Sequence, residues 1–207
     1  MGSSPISPTT YRWLAPELAM PPLERISIIG NGGGGKTTLA RRFAELSGLP
    51  LHHVDSIQYV AGMRTRPLLE TAKVLESWAS EDTWIIDGFG ALDVIERRFH
   101  RSTVIVFVDF PLWRHFLWAT KRQITSLWRT RSELAAGCSE AGPAATWKLY
   151  KIIWRVHREL RPKLLAMLAA PELEARVESV KTLGEWNALY REGSRKIVAR
   201  SGQADEG

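Results

Sequence analysis

Between a run of strand-like apolar residues and an amphipathic segment stands Gly30-Asn31-Gly32-Gly33-Gly34-Gly35-Lys36-Thr37-Thr38. Each glycine forgoes roughly 0.5–1 kcal/mol relative to alanine inside regular structure, so five of them within six positions need a reason beyond linkage. The stretch matches G-x-x-x-x-G-K-[ST] and lies where that pattern works, directly after a strand and opening a helix. Glycines let backbone N–H groups turn inward around phosphate oxygens, and the helix N-terminus adds positive partial charge. On this reading Gly30, Asn31, Gly32, Gly33, Gly34, Gly35, Lys36, Thr37 and Thr38 cradle a nucleoside triphosphate. Lys36 reaches the β- and γ-phosphates, Thr37 offers its hydroxyl to Mg²⁺, and Thr38 donates to the α-phosphate.

The flanking pattern alternates short apolar runs with helical spacing. Arg25 to Ile29 reads as a buried strand, and Thr37 to Leu46 as a helix with Leu39, Phe43 and Leu46 on one stripe and Gly48 as its stop. Leu51–Val54, Thr83–Ile86, Val104–Val108 and Val177–Lys181 supply four further strands, of which Val104–Val108 is unbroken, as a strand buried on both faces should be. Pro111 suits the first position of a helix running to about Gln123, and Pro162 is expected to kink or end a later one. Thr182 and Glu185 have capping-box spacing at the start of a last short helix. Residues 135–145 are small and read as a mobile loop. Strands alternating with helices predict an α/β domain, a mostly parallel sheet covered on both faces.

Composition narrows the partners. The chain has 207 residues, a net charge of +6 and a pI near 9.7. The charge is uneven: residues 97–163 hold fourteen Lys/Arg against four Asp/Glu. Such local basicity suits phosphates on a nucleotide or along a nucleic acid. No apolar run approaches the ~20 residues of a membrane span. The single cysteine, Cys138, forms no intramolecular disulfide, and with no signal-peptide pattern the expected setting is reducing and cytoplasmic. Nine tryptophans, among them Trp113, Trp118, Trp147 and Trp154, fall mostly at helical spacing and are expected in the core.

Three strand-end acids are candidates for chemistry. Asp55 closes the second strand, where ligands of an open parallel sheet gather, and can orient or deprotonate an acceptor hydroxyl. Asp87 and Asp109 each follow a hydrophobic strand, and either pattern fits a carboxylate that orients Mg²⁺. Asp109, just ahead of Pro111, fits a helix N-terminus equally well. His52 and His53 lie on opposite faces of their strand, so at least one packs, and neither is assigned a metal.

From about Arg25 to Tyr190 the chain resembles the bacterial topology modulation (FlaR-type) proteins, adenylate-kinase-like members of the P-loop kinase group. The matching pieces are Ile28-Ile29-Gly30 through Ala40, Leu51-His52-His53-Val54-Asp55, Trp84-Ile85-Ile86-Asp87-Gly88, Val108-Asp109-Phe110-Pro111, and Arg129-Thr130-Arg131 followed by Gly137-Cys138. The sequence departs from the family in carrying Gly33-Gly34 where relatives usually have Ser-Gly and Thr37 where they usually have Ser. The resemblance implies a three-layer P-loop NTPase fold with a five-stranded, mostly parallel sheet of nucleoside-monophosphate-kinase type and a helical lid. It also favours Asp87 over Asp109 for Mg²⁺, because Asp87-Gly88 resembles the Asp-Gly-Phe stretch of adenylate kinases, whose aspartate orients Mg²⁺-bound water. The proline and arginine that follow there are Gly90 and Ala91 here, which argues against AMP as acceptor. In the same plan Arg122, Arg129 and Arg131 fall in the lid, at about 122–146, with Arg155 and Arg158 facing the same space. Arg64 and Arg66 stand ahead of a candidate acceptor-binding helix.

The expected organisation is an N-terminal extension (1–24), a kinase-like domain (25–195) and a tail (196–207). The expected activity is Mg²⁺-dependent transfer of the ATP γ-phosphate to a small nucleotide-like or hydroxylated acceptor, with Lys36, Asp55, Asp87, Arg129 and Arg131 catalytic and Arg122 on the nucleotide. The alternatives are a nucleic-acid-binding or regulatory NTPase, motivated by the basic span 97–163, and a nucleotide-gated binding protein without turnover.

Overall fold

Arg25–Gly30 forms strand β1, buried at every residue after Arg25, and Lys36–Ser47 forms helix α1, so the glycine-rich stretch is the turn joining them. The computed structural model describes residues 24–60, 64–126 and 143–191. After α1 come β2 (Leu51–His53), α2 (Val54–Gln58), β3 (Tyr59–Val60), β4 (Arg64–Thr65), α3 (Leu68–Ser80), β5 (Trp84–Asp87) and α4 (Leu92–Arg101). They are followed by β6 (Val104–Val108), α5 (Leu112–Ser126), α6 (Pro143–Arg155), a π-helical segment (Val156–Leu160), α7 (Arg161–Leu168), β7 (Arg176–Val180) and α8 (183–191).

Five strands form one sheet in the order β2-β5-β1-β6-β7, and every neighbouring pair is parallel. Parallel neighbours need crossovers, which here are helices on both faces. Alternation along β6 shows how the layers divide: Val104, Val106 and Val108 join Ile26, Ile28, Leu39, Phe43 and Leu189 in one cluster. Ile105 and Phe107 turn the other way, to Ile95, Phe99 and Leu164. A third cluster packs Trp84 and Ile86 of β5 against Val54, Leu75 and Val94. The result is a three-layer α/β sandwich, and the turn after β1 opens at the carboxyl ends of the central strands, where such sheets place their ligands.

The expected five-stranded, mostly parallel sheet is present, and the small antiparallel pair of β3 and β4 beside it was not anticipated. Other expectations need correcting. Pro162 neither ends nor breaks its helix. A proline removes the hydrogen bond to the residue four before it, and the chain absorbs the loss in the π-helical turn just upstream, where the Arg161 N–H reaches the Val156 carbonyl. Helix α6 starts at Pro143, so the end of the expected loop is helical; its remainder lies outside the described residues. Of the four tryptophans expected in the core, only Trp118 packs there, edge-on to Phe110. Trp113, Trp147 and Trp154 are exposed by 59, 62 and 52 %. The capping box is present, with the Glu185 N–H donating to Thr182 Oγ1 and the Thr182 N–H to Glu185 Oε2.

Candidate active site

Sterics explain several of the glycines of the turn. A Cβ on Gly30 (φ 146°) would stand 2.2 Å from the Val108 carbonyl oxygen, and one on Gly33 (φ 75°) 2.9 Å from the His115 carbonyl oxygen. Gly35 caps α1 in the left-handed conformation, without a side-chain cap and with no acid in the first turn of the helix. Its opening N–H groups therefore meet no competing anion of their own segment, which suits a bound phosphate. Lys36 Nζ donates to the Asn31 carbonyl at 2.9 Å and lies 5.9 Å from the centre of the Phe89 ring. The Asn31 side chain braces the turn from behind: Nδ2 donates to the Ile153 carbonyl and Oδ1 accepts from the Gly32 N–H, each at 2.8 Å. Thr38 is exposed at the first turn of α1.

Opposite Thr37 stands Asp87, at the end of β5. Thr37 Oγ1 donates to Asp87 Oδ2 at 2.7 Å, and His53 Nδ1 bonds the same oxygen at 3.2 Å. Asp87 Oδ1 is buried and has no hydrogen-bond partner among the described residues. Burial alone raises the Asp87 pKa, but the His53 bond, the Lys36 charge and the Thr37 hydroxyl outweigh it and hold the carboxyl below its ordinary value. Position 53 faces Asp87 because β2 pairs with β5 in the register His53 to Asp87. His52, on the other face, stacks on Trp78 at 4.6 Å and bonds Glu81.

Asp109, at the end of β6, has a different environment. Arg161 Nε and Nη2 donate to its two oxygens at 2.6 and 2.8 Å, a bidentate pair that fixes α7 to the strand end. Beneath the Asp87-Gly88-Phe89 turn, the fully buried Arg98 donates to the Gly88 and Phe89 carbonyls at 2.9 and 3.3 Å. Burial pushes the Arg98 pKa down to about 10, against the opposing pull of Asp87. Beneath the glycine turn, buried His115 donates Nδ1–H to the Gly32 carbonyl at 2.8 Å, and desolvation brings its pKa to about 4. A cleft runs from Asn31 and Phe89 to Asp109, His157 and Arg161.

Lys36, Thr37 and Asp87 thus meet; His53 bonds Asp87, Arg98 and His115 lie beneath the two turns, and Arg161 holds Asp109, roles that sequence reasoning did not assign. Arg98 left a trace: with Val94, Ile95 and Phe99 it forms the buried face of α4, a charge where the helical pattern calls for an apolar residue. Asp55 lies in the first turn of α2, two residues past His53. Arg64 and Arg66 are exposed, and Arg66 Nε caps the Ile57 carbonyl. Arg155 pairs with Glu159 on the surface rather than converging on the turn. Arg129, Arg131, Gly137, Cys138 and the side chain of Arg122 lie outside the described residues.

A hydroxyl, a buried carboxylate oxygen and a tethered ammonium beside an uncapped helix N-terminus are groups that could hold a polyphosphate with a hard cation such as Mg²⁺. No family model matches the chain, and no curated protein does. Solved structures are similar in fold. A shikimate kinase from Acinetobacter baumannii, in complex with shikimate, aligns at 17 % identity and a TM-score of 0.51, over 88 % of this chain and 97 % of that one. Shikimate kinase from Bacteroides thetaiotaomicron aligns at 17 % and 0.45, over 89 % and 99 % of the two chains. A gluconokinase from Sinorhizobium meliloti aligns at 14 % and 0.45, over 88 % and 95 %. At 17 % identity the likeness to the Acinetobacter structure is one of architecture, and the chain has a P-loop NTPase fold. Among the described residues no helix is long and apolar enough to cross a membrane.

Proposed function

We propose that this chain is an Mg²⁺-dependent phosphotransferase that moves the γ-phosphate of ATP to a small hydroxylated or nucleotide-like acceptor. The observation that carries the reading is the pairing of Thr37 with Asp87 at 2.7 Å beside an uncapped glycine turn, with the second Asp87 oxygen buried and, among the described residues, unpartnered. Thr37 and Asp87 would hold Mg²⁺, Asp87 acting through water, and the ion would neutralise charge on the transferring phosphoryl group. The turn's N–H groups and Lys36 orient the triphosphate. The acceptor oxygen bonds to the γ-phosphorus as the bond to the bridging oxygen breaks, ADP leaves, and the acceptor's proton passes to a base. Asp55, at the mouth of β2, is assigned that role. Arg122, Arg129 and Arg131 are assigned to closure over the phosphates, on the sequence position of Arg122 near the end of α5 and of the other two between α5 and α6.

The motif order from Ile28 through Asp109-Phe110-Pro111 supports a place among the topology modulation proteins and a kinase-like domain over 25–195, between an extension and a tail, and the single cysteine supports a cytoplasmic setting. ADP release tests the reading. A panel of nucleoside monophosphates and hydroxylated metabolites should include one that stimulates it with Mg²⁺ present, and Lys36→Ala should abolish the stimulation. A panel with no stimulation, while ATP still binds, favours the nucleotide-gated protein instead.

A further inference from the structure

Three tryptophans that the core does not take up stand on the α5–α6 arm, and each has a cation over its ring: Arg114 on Trp113 at 5.1 Å, Lys151 on Trp147 at 5.5 Å and Arg158 on Trp154 at 5.8 Å. Trp147, Lys151, Trp154 and Arg158 recur at intervals of four, three and four, so they share one side of α6 and its π-helical continuation. The adjoining side is already used: Ile153 is buried, and Tyr150 bonds Thr120 and packs edge-on to Phe116 of α5. Large rings left in water on a helix whose apolar side is satisfied mark a surface for something else.

Charge says what that is. Residues 143–163 contain six Lys/Arg and one acid, Glu159, which Arg155 engages. Lys148, Lys151 and Arg158 are exposed and, among the described residues, pair with no acid. A lipid surface would ask for a continuous apolar stripe, whereas here rings and cations alternate. Rings separated by seven residues stand about 10 Å apart along a helix, a span that two or three bases of an unpaired strand can cover. Base faces take tryptophans, and the backbone between them takes cations.

We propose that the Trp147–Arg158 face of α6 binds single-stranded nucleic acid, through base stacking on Trp147 and Trp154 and phosphate contacts to Lys148, Lys151 and Arg158. The site is separate from the glycine turn and independent of the phosphotransferase reading.

The test is anisotropy of a fluorescein-labelled oligo-dT of about 20 nucleotides, titrated with the full chain. Three phosphates neutralised on a single strand give a log–log salt slope near −2, so affinity should fall roughly twentyfold between about 50 and 200 mM salt. The Trp147→Ala/Trp154→Ala double variant should weaken binding at least about tenfold, since each stacked base contributes appreciably. Both residues are exposed, and an unchanged urea midpoint checks that the variant still folds. Lys36→Ala should bind the oligonucleotide as the wild type does. The proposal is overturned by no anisotropy change at low salt, by undiminished binding in the double variant, or by loss of binding in Lys36→Ala. It is equally overturned if sedimentation shows a dimer that the double variant dissolves, or if anionic vesicles are bound and the oligonucleotide is not.

Discussion

Arg161 holds Asp109 with both arms of its guanidinium, at 2.6 and 2.8 Å, while on the other side of β1 Asp87 keeps one buried oxygen without a partner among the described residues. Two acids that look alike in sequence therefore differ in what substitution should do. Asp109→Asn removes the charge behind two charge-assisted bonds, and the partly exposed Arg161 turns to water. The expected cost is about 1–3 kcal/mol in urea unfolding, with turnover of the folded enzyme within about threefold of wild type. Asp87→Asn removes a charge from the proposed cation position, so kcat should fall by about two to three orders of magnitude and half-saturation by Mg²⁺ should rise. Equal losses of turnover in the two variants would sink the assignment.

Two glycines in the left-handed region separate conformational strain from collision. Gly48, at φ 71° after α1, has open space around its missing Cβ, so Gly48→Ala should cost only the strain of that backbone, about 1–2 kcal/mol. Gly30 adds to a positive φ the Val108 carbonyl at 2.2 Å, within the β1–β6 register itself. Relief requires the two central strands to part, and Gly30→Ala should cost about 2–5 kcal/mol and impair nucleotide binding. Urea midpoints together with ATP-binding calorimetry on both variants compare the two.

These contrasts explain what was legible in the sequence. The strands, the glycine turn and its helix announce themselves because their signals are local: β-branched runs, glycines beside Lys36 and Thr37, and a capping box three residues wide. The assembled site depends on register and crossover. His53 meets Asp87 across 34 residues and Arg161 meets Asp109 across 52, and no spacing rule predicts either pair. The tryptophans misled for a related reason. Helical spacing shows that Trp147 and Trp154 share a side, but not which side the neighbouring helix takes, and α5 took the side of Tyr150 while the glycine turn covered Ile153.

Arg98 offers a test of how the Asp87-Gly88-Phe89 turn is held. Its guanidinium spans two carbonyls that no shorter donor could reach together. Arg98→Met removes a costly buried charge but leaves both carbonyls unbonded, and the second effect should prevail by about 1–3 kcal/mol. Lys is expected not to rescue, because one ammonium cannot reproduce the fork. A gain in stability on substitution with Met would mean that the turn holds itself.

His115 makes the fold's stability depend on pH in a definite direction. In the folded chain its pKa is depressed to about 4, chiefly by burial, whereas the unfolded chain carries an ordinary imidazole with a pKa of 6.5. Between those values the unfolded state binds the extra proton, so stability rises with pH across the window. The contribution is complete above about pH 6.5 and is lost as pH falls towards 4, by up to about 3 kcal/mol at 1.36 kcal/mol per pKa unit. The proton would also put a charge beside Lys36, under the turn proposed to receive a polyanion. Urea unfolding of wild type and His115→Gln from pH 4 to 7.5 measures the effect. The wild-type stability should drop more steeply below pH 6.5, and the difference between the two proteins should shrink as pH falls. Parallel curves would show that His115 does not titrate in the unfolded state alone, and the neutral imidazole under Gly32 would have to be given up.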